Sequence, residues 1–266
     1  MSYTNLPREN GYPKRVLSCY SFQDASHLFT PTADQKHPLG QILDLPDGRR
    51  FRYCKEGGNA LSAAYCTQSA VGTANWQNQA QTNNPDVPAV GDVEVTITLA
   101  ATATKDQFEG AWLTIEDGTG EGQAYLIESN KAGTDNATSG YDIVCQLADE
   151  GGIRIALAAA TELTVTLNKY AEVVVFPTNP TGVATGVPLM AVPANYYFWA
   201  QTRGPCPVVV GATDTIVVGD PVGIGTATTA GAACLLDVAA DGDVLLGYVM
   251  HAASTGETAL IDLHLE

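Results

Sequence analysis

Positive charge is what this chain has least of. Lysine and arginine together number 13 against 29 aspartates and glutamates, giving a formal net charge of −16 at pH 7 and a pI near 4.4. A surface this acidic repels polyanions, which argues against nucleic acid and against an anionic membrane as partners. Long hydrophobic runs are also missing: Ile155 to Ala160 is the longest, far short of the roughly 20 residues that a membrane-spanning helix needs. The opening residues, MSYTNLPRENGYPKR, hold no apolar stretch of the secretory type, so the reading is a soluble protein made in a reducing cytoplasm. Cysteines are scattered (19, 54, 66, 145, 206 and 234) with no CxxC pair, which excludes a disulfide-built scaffold. The histidines at 27, 37, 251 and 264 form no HxxxH, so spacing offers no zinc site, and no cofactor is expected.

What charge there is lies unevenly. Residues 1–60 carry eight basic and six acidic side chains, a net of +2, whereas the remaining chain carries five basic and twenty-three acidic, a net of −18. Either this is chance, or a mildly basic front end and an acidic body do different jobs. Residues 1–38 are interrupted by Pro7, Pro13, Pro31 and Pro38, yet hold Tyr3, Tyr12, Tyr20, Phe22 and Phe29. Disordered tails rarely carry so many aromatics. This segment is expected to be an extended arm lying on its own body or on a neighbour.

The rest reads as strands. GQILDL (40–45) and RRFRYCK (49–55) flank Pro46-Asp47-Gly48, where Pro and Asp suit a turn and Gly the left-handed position after it. Alternation places Arg50, Arg52 and Cys54 on one face of the second strand, with Phe51, Tyr53 and Lys55 on the other. A short strand near ALSAAYCTQ follows, and then SAVGTANWQNQAQTNNPD (69–86) reads as a polar loop or linker. DVEVTITLA (92–100) sets Val93, Val95, Ile97 and Leu99 on one side, and AWLTIED, GQAYLIES, YDIVCQL, ELTVTLN and AEVVVFP continue the pattern. The alanines between Ile155 and Glu162 allow one or two helical turns. After a turn-rich stretch from Pro177 to Pro193, further strands lead to a closing segment with Ala259, Ile261, Leu263 and Leu265 inward and Asp262, His264 and Glu266 outward. The expected fold is all-β. The segments are an arm (1–38), a hairpin region with linker (39–86), a middle β domain (87–180) and a C-terminal barrel-like domain (181–266).

Candidate chemistry is thin. EDGTGEG (116–122) and the Asp237, Asp241 and Asp243 group resemble partial calcium loops, but neither has EF-hand spacing, and Gly with Asp is also what tight turns use. TGEG lacks the Lys-Ser/Thr of a phosphate loop, and GIGTA lacks the third glycine and helix of a dinucleotide site. Cys206, between Pro205 and Pro207, has no histidine nearby in sequence and no recognisable Cys-His context, so it reads as structural. Trp76, Trp112 and Trp199 can stack on a pyranose or simply fill a β core. In YYFWAQTRGPC (196–206) alternation puts Tyr196, Phe198 and Ala200 on one face and Tyr197, Trp199, Gln201 and Arg203 on the other. One face is expected to fill the barrel, and the other to bury against another chain or the inserted domain. The candidate partner interface is therefore Tyr12, Tyr20, Phe22, Arg49, Arg50, Arg52, Tyr197, Trp199 and Arg203, where arginines fork onto carboxylates and aromatics form hot spots. No catalytic residue and no metal ligand is nominated.

Three stretches resemble tailed-phage head decoration (cement) proteins and related virion proteins. They are LGQILDLPDGRRFRYCKEGGNALSAAYCTQ, like the R-Y-x-K-x-G-x-x-L pattern of that group with one residue more before Leu61; YYFWAQTRGPCPVVVG, like its aromatic-x-Q-x-x-G-P segment; and VVGDPVGIG with LLGYVMHAASTGETALIDLHL, like its closing G-D-x-V, L-G-x-V and G-x-x-x-x-V-x-L strands, with Ile261 at the valine position. The resemblance covers roughly residues 39–68 and 187–266. It implies a β-tulip or barrel-like body with an inserted β domain and an extended N-terminal arm, on the outer capsid surface of a virion assembled in the host cytoplasm. It further implies the major capsid protein as partner, a homotrimer, no enzymatic activity, and stabilisation by clamping shell subunits. The chain is longer than minimal decoration domains, which leaves a tail or fibre-base role, or a carbohydrate-binding β module for host attachment, as alternatives. Removing residues 1–38 is expected to leave the body folded and abolish shell binding.

Overall fold

A computed structural model describes residues 27–211, 215–225, 229–236 and 244–266, together with the strand backbone at Arg8–Glu9, Tyr12–Pro13 and Val16–Ser18. The chain is all-β and divides into two compact units, one of residues 72–168 and one that joins 1–71 to 169–266. Strands β1 (Arg8–Glu9), β2 (Tyr12–Pro13), β3 (Val16–Ser18), β4 (Ile42–Asp44), β5 (Arg50–Lys55) and β6 (Thr67–Gln68) precede the insert. Within it lie β7 (Gln79–Ala80), β8 (Glu94–Leu99), β9 (Trp112–Asp117), β10 (Ala124–Asn130), β11 (Thr134–Asp135), β12 (Tyr141–Leu147) and β13 (Glu162–Thr166). The chain then returns through β14 (Val174–Val175), β15 (Ala184–Pro188), β16 (Tyr197–Val209), β17 (Pro221–Ile224), β18 (Cys234–Leu235), β19 (Val244–His251) and β20 (Thr258–His264).

The insert is a curled seven-stranded sheet ordered β11-β12-β10-β9-β13-β7, with β8 also on β12. Period-two alternation buries Val95, Ile97 and Leu99 of β8 with Leu113, Ile115, Ile127, Ile143 and Leu163 in one core. Residues 69–86, expected as a linker, belong to this unit from residue 72 onward. Trp76 packs edge-on against Phe108 at 5.0 Å, and β7 pairs with β13. The amides explain why a polar stretch folds in. Gln81 Oε1 accepts from the Thr98 N–H (3.0 Å) while its Nε2 donates to the Thr98 carbonyl (3.1 Å), so one side chain answers both backbone groups of that β8 residue. Asn84 donates to the Thr96 carbonyl at 2.8 Å and continues the same substitution for a strand. The helical turns expected between Ile155 and Glu162 do not form. The stretch is loop and turn up to Thr161, whose hydroxyl binds the Ala158 N–H, and β13 begins at Glu162.

The other unit is an eleven-stranded sheet along the path β14-β6-β15-β16-β20-β19-β17-β18, with β5 also on β16, β4 on β5 and β3 parallel to β4. The expected hairpin is present: β4 and β5 pair antiparallel, and Gly48 takes φ +87° where Asp47 Oδ1 accepts the Arg49 N–H. Segments 39–71 and 181–266, expected to stand apart, thus share one sheet, because β5 pairs with β16. The arm is also shorter than the sequence suggests. Leu28 is buried in a core with Leu43, Leu45, Phe51, Tyr53 and Trp199, and Thr32 exchanges two backbone hydrogen bonds with Tyr197 (2.9 and 2.8 Å). Residues 27–38 are therefore part of the body.

Candidate functional site

The thirteen residues of β16 run through two environments. In its first half both faces are covered. Trp199 sits in the core with Phe51 and Tyr53, and Phe198 and Ala200 sit in a second core with Cys54, Leu61, Tyr170, Val173 and Val192. A bulge between Gln201 and Arg203 marks the change. Beyond it one face stays buried through Cys206 and Val208, whereas Arg203, Pro205 and Pro207 on the other are exposed. The neighbouring strands continue that open face. Pro205 lies opposite Asp262, Asp262 opposite Tyr248, and Tyr248 opposite Pro221; Pro207 lies opposite Leu260. Tyr248, Met250 and Leu260 are 46%, 47% and 36% exposed. Apolar side chains side by side on a sheet face are the mark of a contact surface rather than of ordinary surface scatter.

One end of this face is cationic. Arg50 and Arg203 are directly opposed across β5 and β16, and Arg203 is opposed to His264 across β20, which places all three on one side of the sheet. Arg50 is bidentate to Asp44 (2.7 and 3.2 Å), and His264 lies 3.3 Å from Asp262 and edge-on to Tyr248. Arg203 between them is exposed and makes no ion pair among the described residues. Like charges directly opposite one another are destabilising, so Arg203 is the one member of the row that gains from an outside carboxylate.

The other nominated arginines find carboxylates within the chain. Arg49 pairs with Asp47 at 2.6 Å in the hairpin turn. Arg52 grips Glu266 through Nε (2.8 Å) and Nη2 (2.9 Å) and donates to the Gly40 carbonyl, while Tyr170 donates its hydroxyl to the same carboxylate at 2.8 Å. Burial works against the Glu266 charge, but Arg52 and Tyr170 outweigh it and hold the carboxyl below its usual range. Burial, reinforced by Glu266, pushes the Tyr170 hydroxyl far up. Glu266, expected to face water, is instead the anchor of this cluster.

Trp199 leaves the interface set: it is a core residue, 3% exposed, within 5.1–5.9 Å of the Tyr53, His37 and His27 rings. Tyr197 is half-buried and stacks on Tyr53. The second face of YYFWAQT is covered at Trp199 by the chain's own residues 28–53, because the register of β5 brings Phe51 and Tyr53 against it. Tyr20 and Phe22 lie outside the described residues, and Tyr12 is described only as strand backbone. The residues that alternation alone undervalued are Tyr248, Met250 and Leu260. The signal was present, since each sits out of phase with its inward neighbours Leu246, Val249, Ala259 and Ile261.

The Q-x-x-G-P pattern has a structural cause. Gln201 is fully buried, and its Nε2 donates to the carbonyls of Arg203, Gly204 and Pro205 at 2.9–3.1 Å, which holds the bulge in shape. Cys206 is fully buried, and desolvation pushes its thiol far above the usual range, as it does Cys66, pushed up to about 12. His251 and His264 stand on the exposed side of the sheet, opposite to the face that buries Cys206. No Cys-His pair is assembled here.

The chain matches no protein-family model, no curated protein and no solved structure.

Other candidates are spent on structure. EDGTGEG is the β9–β10 turn, where Gly118, Gly120 and Gly122 all take positive φ; Asp237, Asp241 and Asp243 lie outside the described residues. Among the described residues no group of three or more His, Cys, Asp or Glu is placed to hold a metal ion. An open cleft of about 560 Å³ lies among Thr82, Asn84, Asn136 and Asp142. Its polar groups serve one another: Asp142 accepts from the Thr98 hydroxyl (2.7 Å) and from Asn136 (2.8 and 3.0 Å).

Proposed function

We propose that this chain is a structural virion protein that binds the outer surface of a phage capsid and stabilises it by clamping shell subunits. The observation that carries the proposal is the outward face of β16, β19 and β20. There Tyr248, Met250, Leu260, Pro205 and Pro207 are exposed beside an end that holds Arg203, which makes no ion pair among the described residues. Aromatic, Met and Arg side chains are those enriched at the cores of protein interfaces. The likeness of residues 39–68 and 187–266 to decoration proteins supports the same reading and supplies the partner, the major capsid protein. Function then means binding. A clamp that meets the shell at the sheet face and through the segment before residue 27 gains affinity from effective concentration without any single strong contact.

The test is co-sedimentation of the purified chain with undecorated phage heads, alongside its mass by light scattering. Binding at a fixed ratio is expected, with a solution mass of three times the 27.9 kDa chain for a trimer. Arg203→Glu and Tyr248→Ser should each weaken binding about tenfold or more while leaving the fold intact, as central interface side chains do. Removing residues 1–26 should weaken binding without unfolding the body. Removing 1–38 is no longer a clean test, because it strips Leu28 from a core. Heads that ignore the wild-type chain, or bind the Arg203 and Tyr248 variants equally well, would sink the proposal.

A further inference from the structure

The outward face of the 72–168 unit carries an aromatic that the capsid reading leaves unused. Of the three tryptophans, Trp76 and Trp199 are core residues, whereas Trp112 is 48% exposed. It stands on β9 opposite Leu126 of β10 and Thr166 of β13. Two positions along the same face, Thr114 lies between Ala124 and Thr164. Two further on is Glu116. Asn78, with its amide oriented to satisfy both ends, donates to Glu116 (3.3 Å) and to Glu162 (2.7 Å). Successive outward residues on a strand are about 6.6 Å apart, so these three tiers form a strip roughly 13 Å long.

The order of the tiers matters. An indole plate, 48% exposed beside Leu126, is followed by the Thr114 hydroxyl beside a small alanine, with Thr164 buried and its hydroxyl accepting the Asn78 N–H (2.8 Å), and then by an amide and two carboxylates. A pyranose ring presents the complement: an apolar C–H face and a rim of hydroxyls that donate and accept. We propose that this strip binds the pyranose of a neutral glycan, with the C–H face on Trp112 and ring hydroxyls bonded to Thr114 and Glu116. Glu116 and Glu162 repel uronic, sialic and sulfated sugars. Rings of gluco configuration fit best, because equatorial hydroxyls leave both ring faces free to stack. The strip belongs to the insert alone and stands whether or not the chain binds capsids.

The test uses the full chain and reads acrylamide quenching of tryptophan emission, since exposed emission comes chiefly from Trp112. Millimolar cellotetraose should protect that emission, and trigalacturonate should not. By calorimetry, Trp112→Ala should lower cellotetraose affinity by about tenfold, the loss of one stacking platform, and Trp112→Phe by less. Glu116→Gln keeps the plate and should let trigalacturonate compete. Circular dichroism checks that each variant is folded. Absence of protection by cellotetraose, or equal affinity of the Trp112→Ala chain, overturns the proposal. So does protection that tracks protein concentration instead of sugar, which would mean that the plate meets another protein.

Discussion

The insert and the unit that hosts it bury their apolar side chains by different routes. The insert has one core, built by strands that follow one another along residues 94–166. Its buried polar groups are neutral amides and hydroxyls such as Gln81, Asn84, Asn130 and Thr161. Among the described residues, the buried apolar side chains of the host fall into four clusters, drawn from segments on either side of the insert. They are held in register by β16, which pairs with β5, β15 and β20. Charged groups pin it as well: Glu56 is fully buried, and Arg52 clasps Glu266. Local alternation suffices for the insert, whereas the host depends on contacts between distant segments, which costs more loop entropy to assemble.

The largest effect should separate the two most sharply. Phe108 in the insert and Phe51 in the host are both fully buried, and truncating such a ring to alanine costs about 3–5 kcal/mol. Calorimetry of the wild-type chain should resolve two transitions, with Phe108→Ala lowering one and Phe51→Ala the other. A single transition lowered equally by both would erase the distinction.

How much of this was legible follows the same divide. Val95, Ile97 and Leu99, or Ala259, Ile261 and Leu263, are buried as alternation predicts, and the Pro46-Asp47-Gly48 hairpin forms as its turn residues require. Residues 72–86 are largely loop, as their polar composition suggests, but they belong to the insert instead of linking to it, because side-chain amides there do the work of a strand and Gln81 leaves no periodic trace in the sequence. The arm is shorter than its prolines suggest, because one buried Leu28 and a single bridge from Thr32 decide the boundary. Of the nominated residues, the exposure of Arg203 was legible. Trp199 was not, since which side of β16 is covered depends on the long-range register with β5.

A second contrast sets one buried pin against another. Glu56 accepts the N–H groups of Gly58 (2.7 Å), Asn59 (2.6 Å) and Asn195 (2.6 Å), joining two loops far apart in sequence. Glu56→Ala strands three donors and should cost the host about 3 kcal/mol, with Glu56→Gln recovering only part, because its amide N–H₂ meets donors. Gln81→Ala should cost the insert about 2 kcal/mol. Urea unfolding followed separately for each transition checks both, and equal recovery of full stability in Glu56→Gln would show that charge at this pin is dispensable.

The Arg52–Glu266 pair predicts an acid sensitivity of the host. Its side chains are 21% and 15% exposed, between a surface pair and a buried one, so Arg52→Met should cost about 1–2 kcal/mol near neutrality. The folded Glu266 carboxyl titrates below its ordinary value of 4.5. Its stabilising contribution is therefore present above that value and lost as pH falls through the lower folded one. The host midpoint in urea should drop below about pH 4.5, where the unfolded carboxyl takes up its proton. Arg52→Met should flatten that limb, and an unchanged limb would place the sensitivity elsewhere.

The smallest effect lies at milder acidity. All four histidines are outside residues 72–168, and burial, with His27 nearby, lowers the pKa of His37 from 6.5 while Gln41 partly offsets the shift. A base with a depressed folded pKa favours folding while neutral, so its contribution is full above 6.5 and fades as pH falls through that value. His37 packs at 5.0–5.2 Å from the Tyr53 and Trp199 rings, so protonating it places a charge against the core that holds Leu28. Between pH 7.5 and 5.5 the host transition should move down while the insert transition stays level, and His37→Asn should reduce the slope. If the slope survives that substitution, the contrast between the units at this pH belongs to other groups.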